Sequence, residues 1–266
     1  MSLRGADPSR PGRRLTEAGP YGINIFPTVT WSENHMRIPP KKVPKLKFCA
    51  AIFDMDGVIA DNMAYHTKAW QKFLEKHAPG VAIGDVSSKY GMNNSDLMSF
   101  VLSRRLSRAE VERYGEEKER YYRELYAADM APLPGLVDFL KELRASGTRT
   151  VVATSAPKSN VHFLLEGLRI RPLFDAVVDA GHVSKGKPDP EIYLTAASRV
   201  GCRPDACVVF EDAVAGIEAG RRAAMTVVGV ATSLPPEKLV GTRLVIKDFR
   251  ELNVAQLNEL RLSPSR

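Results

Sequence analysis

The 266-residue chain is 44% hydrophobic and 26% charged, proportions that suit a soluble globular protein with one sizeable α/β core plus an insertion, or two small domains. Its net charge of +7 invites a nucleic-acid reading, but residues 1–47 hold nine Lys/Arg against three acidic residues, which leaves 29 basic and 28 acidic groups in the other 219. The body of the chain is therefore nearly neutral, and nucleic acid is set aside as a partner. No apolar run approaches the ~20 residues of a membrane-spanning helix, and the arginines near the N-terminus precede no apolar stretch of the secretory type. Cys49, Cys202 and Cys207 are odd in number and lack the paired spacing of a zinc site, so buried free thiols in a reducing, cytoplasmic compartment are expected.

Taken in chain order, residues 1–46 contain seven of the 18 prolines and read as an irregular N-terminal extension, with Tyr21–Val29 able to dock on the body. Order begins at Lys47-Phe-Cys-Ala-Ala-Ile-Phe-Asp54, a continuous apolar run that predicts a strand buried on both faces. Similar runs follow at Arg149–Ala153, Ala176–Val178, Cys207–Phe210, Thr226–Val230 and Leu244–Ile246, with helical patterns between them at Gly135–Ser146, Ser159–Leu168, Pro190–Val200 and Val214–Ala223. That alternation predicts a doubly wound parallel sheet, an α/β fold. It is broken once, where about 70 residues of helical periodicity follow the first strand. The expected organisation is a core of 47–61 plus 132–252, an inserted all-helical cap at 62–131, and a C-terminal helix and tail at 253–266. A cap over the carboxyl ends of such a sheet lies where open α/β sheets bind ligands.

Four polar clusters fall just past predicted strands. Asp54-Met55-Asp56-Gly57 places two carboxylates straight after a buried run, which is costly unless a cation or hydrogen bonds hold them. Oxygen ligands of this kind suit Mg²⁺, with one carboxylate free to attack phosphorus and the other to move a proton, although a capped turn has the same pattern. Thr154-Ser155 offers a hydroxyl and backbone N–H groups for a phosphoryl oxygen, or a plain helix cap. Lys187, in Lys187-Pro-Asp-Pro190, can neutralise a phosphate, and Glu211-Asp212 can complete a metal site.

The order of these clusters after four separate strands resembles the haloacid dehalogenase superfamily of phosphotransferases. The residues that carry the resemblance are Phe53-Asp-Met-Asp-Gly-Val-Ile-Ala-Asp61, Ala153-Thr-Ser155, Gly186-Lys-Pro-Asp-Pro190 and Phe210-Glu-Asp-Ala-Val-Ala-Gly-Ile217, over about 48–250. The resemblance implies that Asp54 is the nucleophile and Asp56 the acid/base. It also implies that Thr154 and Lys187 hold phosphoryl oxygens, and that Asp54, the Asp56 carbonyl and Asp212 hold Mg²⁺ with Glu211 in support. Having Asp56 favours phosphate esters or anhydrides over carbon–halogen chemistry. The insertion after the first strand resembles the β-phosphoglucomutase-like branch, which implies substrate contacts at Gly57, His66, Trp70, Gly91, Asn94, Lys118, Ser155, Ala156 and Lys158. The bland alternatives are a hinge hydrogen bond for His66 and a solvated Lys118. The stretch Lys89-Tyr-Gly91-Met-Asn-Asn94-Ser lacks the Arg with which the mutases grip a second phosphate, and asparagines cannot supply a charge-assisted fork.

The expected activity is hydrolysis of a small phosphorylated metabolite, a sugar phosphate above all, by a monomer. A β-phosphoglucomutase is the alternative, and a pyrophosphatase or a non-catalytic binding protein of this fold ranks below both.

Overall fold

The computed structural model describes residues 47–87, 89 and 94–260. The expectations for residues 1–46, Gly91, the side chain of Asn94 and the tail 261–266 lie outside the described residues.

Among the described residues, six strands make one sheet: β1 (Ala50–Phe53), β2 (Arg149–Ala153), β3 (Ala176–Val178), β4 (Cys207–Glu211), β5 (Thr226–Val230) and β6 (Leu244–Ile246). The order across the sheet is β3-β2-β1-β4-β5-β6 and every neighbouring pair is parallel. Each β1 residue is fully buried, with Ala51 and Phe53 facing one apolar core and Ala50 and Ile52 the other. This two-sided burial is why the run carries no polar alternation. Helices α5 (Leu136–Ala145) and α9 (Val254–Leu260) pack on the first face, and α7 (Glu191–Arg199) and α8 (Val214–Arg222) on the second. Helix α6 (Lys158–Gly167) joins the first layer through Leu164 and Leu165. The α/β class and the doubly wound sheet are as the sequence predicts. Strand β4 runs one residue beyond its apolar run, so Glu211 is itself a ladder residue.

Between β1 and α5 the chain is helical: α1 (Met63–His77), α2 (Ile83–Ser87), α3 (Asn94–Val101) and α4 (Arg108–Tyr126). Helix α1 buries His66, Ala69, Trp70, Phe73 and Leu74, a single i, i+3, i+4, i+7, i+8 stripe. Helix α4 opens with a capping box between Ser107 and Glu110, and its buried stripe includes Lys118 and Glu119 among tyrosines. A buried ion pair inside a packing stripe is unusual, because desolvating both charges costs several kcal/mol before attraction returns any of it.

The cysteine expectation requires a correction. Cys49 and Cys202 form a disulfide, and Cys207 alone is a buried free thiol. Cys49 lies just ahead of β1, is exposed, and donates its N–H to Ala206 beside β4, while Cys202 follows α7 on the same side of the sheet. Strand pairing thus brings together two cysteines 153 residues apart, which no sequence spacing signals. The argument from free thiols to a reducing compartment loses its footing, since disulfides persist where conditions are oxidising. No helix among the described residues is long and apolar enough to cross a membrane. Non-reducing peptide mapping should recover a Cys49–Cys202 crosslink, and reduction should lower stability by about 2–4 kcal/mol, read as a fall in Tm of several degrees. An unchanged Tm after complete reduction would show that the bond does not constrain the chain.

Candidate active site

The sheet order reverses direction between β1 and β4, and crevices at such a point beyond the carboxyl ends are where open α/β sheets take ligands. Register then decides which residues meet. Phe53 pairs with Phe210 across β1 and β4 and with Val152 across β1 and β2, so Asp54 comes abreast of Glu211 and one position short of Thr154. The Asp54 N–H donates to the Phe210 carbonyl, and the Thr154 N–H to that of Val178. One residue before Asp54 and Glu211, the Phe53 and Phe210 rings stack at 4.7 Å in the core on one face of the sheet.

Asp54, Glu211 and Asp212 are buried with ligand oxygens within 4.8 Å of one another. Lys187 reaches in from the loop before α7 and donates to Asp54 Oδ1 at 2.7 Å and Glu211 Oε1 at 2.5 Å. Burial alone would lower the proton affinity of this ammonium, but Asp54 and Glu211 outweigh it and hold Lys187 well above its ordinary value. One lysine does not balance three carboxylates. Burial, with Glu211 adding repulsion, pushes Asp54 up to about 7 against the pull of Lys187, and drives Asp212 well above the carboxylate range. Glu211 is the most fully satisfied of the three. It accepts from Lys187, from the Tyr193 hydroxyl at 2.5 Å, and from the backbone N–H groups of Asp212 and Ala213. Asp212 accepts from the Ser233 hydroxyl. Three hard oxygen donors with a deficit of positive charge could hold a divalent cation such as Mg²⁺.

Asp56 stands above this cluster on the turn after β1. Asn62 Nδ2 donates to its Oδ1 at 2.6 Å and to the Tyr122 hydroxyl at 2.7 Å, while Asn62 Oδ1 accepts the Gly57 N–H. Lys118 Nζ lies 2.9 Å from His66 Nδ1; an ammonium only donates, so Nδ1 accepts and the ring hydrogen sits on Nε2. Nε2 faces Asp56 Oδ1 at 3.3 Å, too oblique for a formed hydrogen bond, and has no other partner. The imidazole stacks on Tyr122 at 3.8 Å. Burial raises Asp56, but His66, Asn62 and Lys118 together outweigh it and hold the carboxyl below its ordinary value.

A cavity of about 1100 Å³ joins the cluster to the cap. Asp54, Asp56, Thr154, Ser155, Ala156, Lys187, Glu211, Asp212, His66, Trp70 and Lys118 all line it. Thr154 Oγ1 accepts the Ala156 N–H at 3.0 Å, which leaves its hydroxyl hydrogen able to serve a second oxygen. Two expected contacts are not brought there. Lys158 is exposed in the first turn of α6 and does not line the cavity. Gly57 is buried with φ +79°, where a β-carbon would overlap the Asp212 carboxylate, so its part is to let the chain pass close.

Sequence reasoning missed Asn62, Glu119, Asn160, Tyr193 and Ser233. Thr232-Ser233 follows β5 as the other clusters follow their strands, so the same rule finds it. The remaining four carry no such signal.

The profile of the haloacid dehalogenase-like hydrolase family matches residues 49–224. The chain belongs to that family. Over 218 residues it is 32% identical to the β-phosphoglucomutase of Bacillus subtilis, covering 79% of this chain and 94% of that one. Over 188 residues it is 36% identical to a fructose-1-phosphate phosphatase of Escherichia coli, covering 69% and 97%. A β-phosphoglucomutase structure from Clostridium difficile superposes with a TM-score of 0.73 at 30% identity, over 81% of this chain and 97% of that one. This member of the hydrolase family is thus an enzyme whose relatives include both phosphatases and phosphomutases.

Gly216 of α8 tests the cluster, since a β-carbon there would run into the Glu211 carboxyl. Gly216→Ala should lower kcat by about 100-fold and stability by about 1–3 kcal/mol, whereas Gly80→Ala, which meets nothing within 4 Å, should change neither. Steady-state assays with thermal melts decide, and a fully active Gly216→Ala would mean Glu211 is not needed where it stands.

Proposed function

We propose that the protein is a Mg²⁺-dependent phosphatase of a small phosphorylated metabolite, a sugar phosphate above all, acting through an aspartyl-phosphate. The observation that carries this reading is the convergence of Asp54, Asp212 and Glu211 beside Lys187, in the cavity that Asp56 also lines. A carboxylate with a lysine at 2.7 Å is set to meet a phosphoryl group whose charge the same lysine offsets.

In the first step an Asp54 oxygen bonds to phosphorus as the bond to the leaving oxygen breaks, and Asp56 gives that oxygen its proton. In the second step Asp56 takes a proton from water as the water oxygen attacks phosphorus, which releases phosphate and restores Asp54. His66, Asn62 and Lys118 hold Asp56 in its ionised, accepting form before substrate arrives. A phosphoryl group nearby raises its proton affinity and so favours the donating form. Thr154 and Lys187 bind the equatorial oxygens, and Asp54 and Asp212 with Glu211 behind them would hold the ion. Bound there, Mg²⁺ supplies charge neutralisation and alignment of the phosphoryl oxygens.

A second reading, phosphoryl return to another sugar hydroxyl as in a β-phosphoglucomutase, is favoured by the contact of Lys118 with His66 next to Asp56. The two are separated by product. With Mg²⁺ and β-glucose 1-phosphate, primed by glucose 1,6-bisphosphate, free phosphate without glucose 6-phosphate is the expected result, and isomer formed far faster than phosphate would replace the first reading by the second. Asp54→Asn should abolish both reactions, and near-normal turnover in that variant would remove Asp54 as nucleophile.

Cation binding must also respond to acid. Because burial holds Asp54 up to about 7, a proton has to leave before the carboxylate can ligate. Mg²⁺ affinity should therefore fall as pH drops through about 7, by roughly tenfold per pH unit for one displaced proton. Calorimetric titration between pH 5.5 and 8.5 measures it, and a flat profile would place the ion elsewhere.

A further inference from the structure

Lys118 lines the cavity on the cap side and looks like a ready cation for an anionic substrate group. Its surroundings say otherwise. An ammonium has three hydrogens to give. In this structure they meet His66 Nδ1 at 2.9 Å, Glu119 Oε1 at 3.0 Å and Glu119 Oε2 at 3.2 Å. Both members of the pair are nearly fully buried, with Lys118 and Glu119 each 3% exposed. Glu119 is held in turn from the core. Asn160 of α6, fully buried, donates its Nδ2 to Glu119 Oε2 at 2.7 Å, and Asn160 Oδ1 accepts from Arg123 at 2.8 Å. Burial alone would raise Glu119, but Lys118, His66 and Asn160 outweigh it and keep the carboxylate ionised.

We infer that Glu119 is a specificity-determining residue that cancels Lys118, so that this part of the cap accepts the uncharged portion of a phosphate monoester and discriminates against a second phosphate. The inference rests on the phosphatase reading and deepens it to a substrate class: monophosphate esters of neutral, hydroxyl-bearing compounds. A second phosphate at this wall would find every Lys118 hydrogen already engaged and a buried carboxylate beside it, a like-charge contact in a poorly screened site. The wall offers other surfaces to a neutral group: the Trp70 ring, over which Lys118 sits at 5.4 Å, together with Met63, Thr67 and Leu97. The role of Lys118 is then that of a positioning residue, fixing the His66 tautomer from behind while making no contact with substrate. Asn160 locks that arrangement from α6 through its hydrogen bond to Glu119.

The test compares fructose 1-phosphate with fructose 1,6-bisphosphate as hydrolysis substrates, by released phosphate, with folding checked by thermal melts. Glu119→Gln removes the charge while keeping an oxygen for Lys118. It should raise the bisphosphate-to-monophosphate ratio of kcat/KM by about tenfold or more, chiefly through KM, as one released charge-assisted contact predicts. Glu119→Asp keeps the charge and should keep the wild-type ratio. Lys89 also lines the cavity and is common to all variants, so the change reports on Lys118 alone. The double variant Lys118→Met/Glu119→Gln deletes both charges together and should lower kcat, since His66 loses its partner, while holding the monophosphate KM within about threefold, because no substrate contact is lost. A ratio within about twofold of wild type in folded Glu119→Gln overturns the inference. So does a tenfold rise in monophosphate KM in the double variant, which would place Lys118 on the substrate. Wild-type protein that hydrolyses neither sugar phosphate would instead remove the phosphatase reading on which the inference stands.

Discussion

Three carboxylates buried at the ends of two adjacent strands, with one lysine among them, are the constraint around which the rest of the protein is arranged. Phe53 and Phe210 anchor the two strand ends in the apolar core, and parallel register forces Asp54 and Glu211 side by side. Like charges so placed are tolerable only if hydrogen bonds and cations compensate, and the surrounding chain supplies donors from many directions. Lys187 comes from the loop before α7, Tyr193 from α7 itself, Ser233 from beyond β5, and backbone N–H groups from the turn into α8. The compensation is incomplete, as the raised Asp54 and Asp212 record. That shortfall is the feature that a divalent cation at this place would relieve.

The cap repeats the same physics with a different balance. His66 Nδ1, Lys118, Glu119 and Asn160 form a buried hydrogen-bonded chain running from beside Asp56 to helix α6. Such networks are stable only when complete, so their geometry is tightly specified. Because Asp56 and His66 sit at one end and Asn160 at the other, the contact between cap and core is continuous with the proton chemistry. A shift of α4 relative to α6 would be felt at His66, 3.3 Å from Asp56, through hydrogen bonds rather than through loose packing.

Much of this was legible in the chain. The continuous apolar run before Asp54 and its counterparts before Thr154, Glu211 and Thr232 declared the strands, and polar residues immediately after a strand must lie at the sheet's carboxyl edge. Register then brings them together with little room for choice. What was not legible depends on contacts between distant segments. Asn62 reaches Tyr122, 60 residues on, and Glu119 meets Asn160, 41 residues on; neither spacing carries a periodic signal. Lys158 shows the same gap from the other side. It lies two residues before Asn160 on α6, about 200° around the helix, so the amide turns inward while the more suggestive cation turns to solvent. The cysteines failed for a related reason: their pairing follows from β1 lying beside β4, not from any spacing between them.

The crosslink between Cys49 and Cys202 closes a covalent ring around 153 residues of sequence, and every helix of the cap lies inside it together with Asp54, Asp56, Thr154 and Lys187. Glu211 and Asp212 lie outside. A protease that severs an exposed cap turn would therefore open the ring without parting the molecule, since both pieces remain joined through sulfur and through the paired central strands. The nicked chain would still hold Asp54 opposite Glu211 and Asp212, with sulfur and strand pairing each keeping the pieces together.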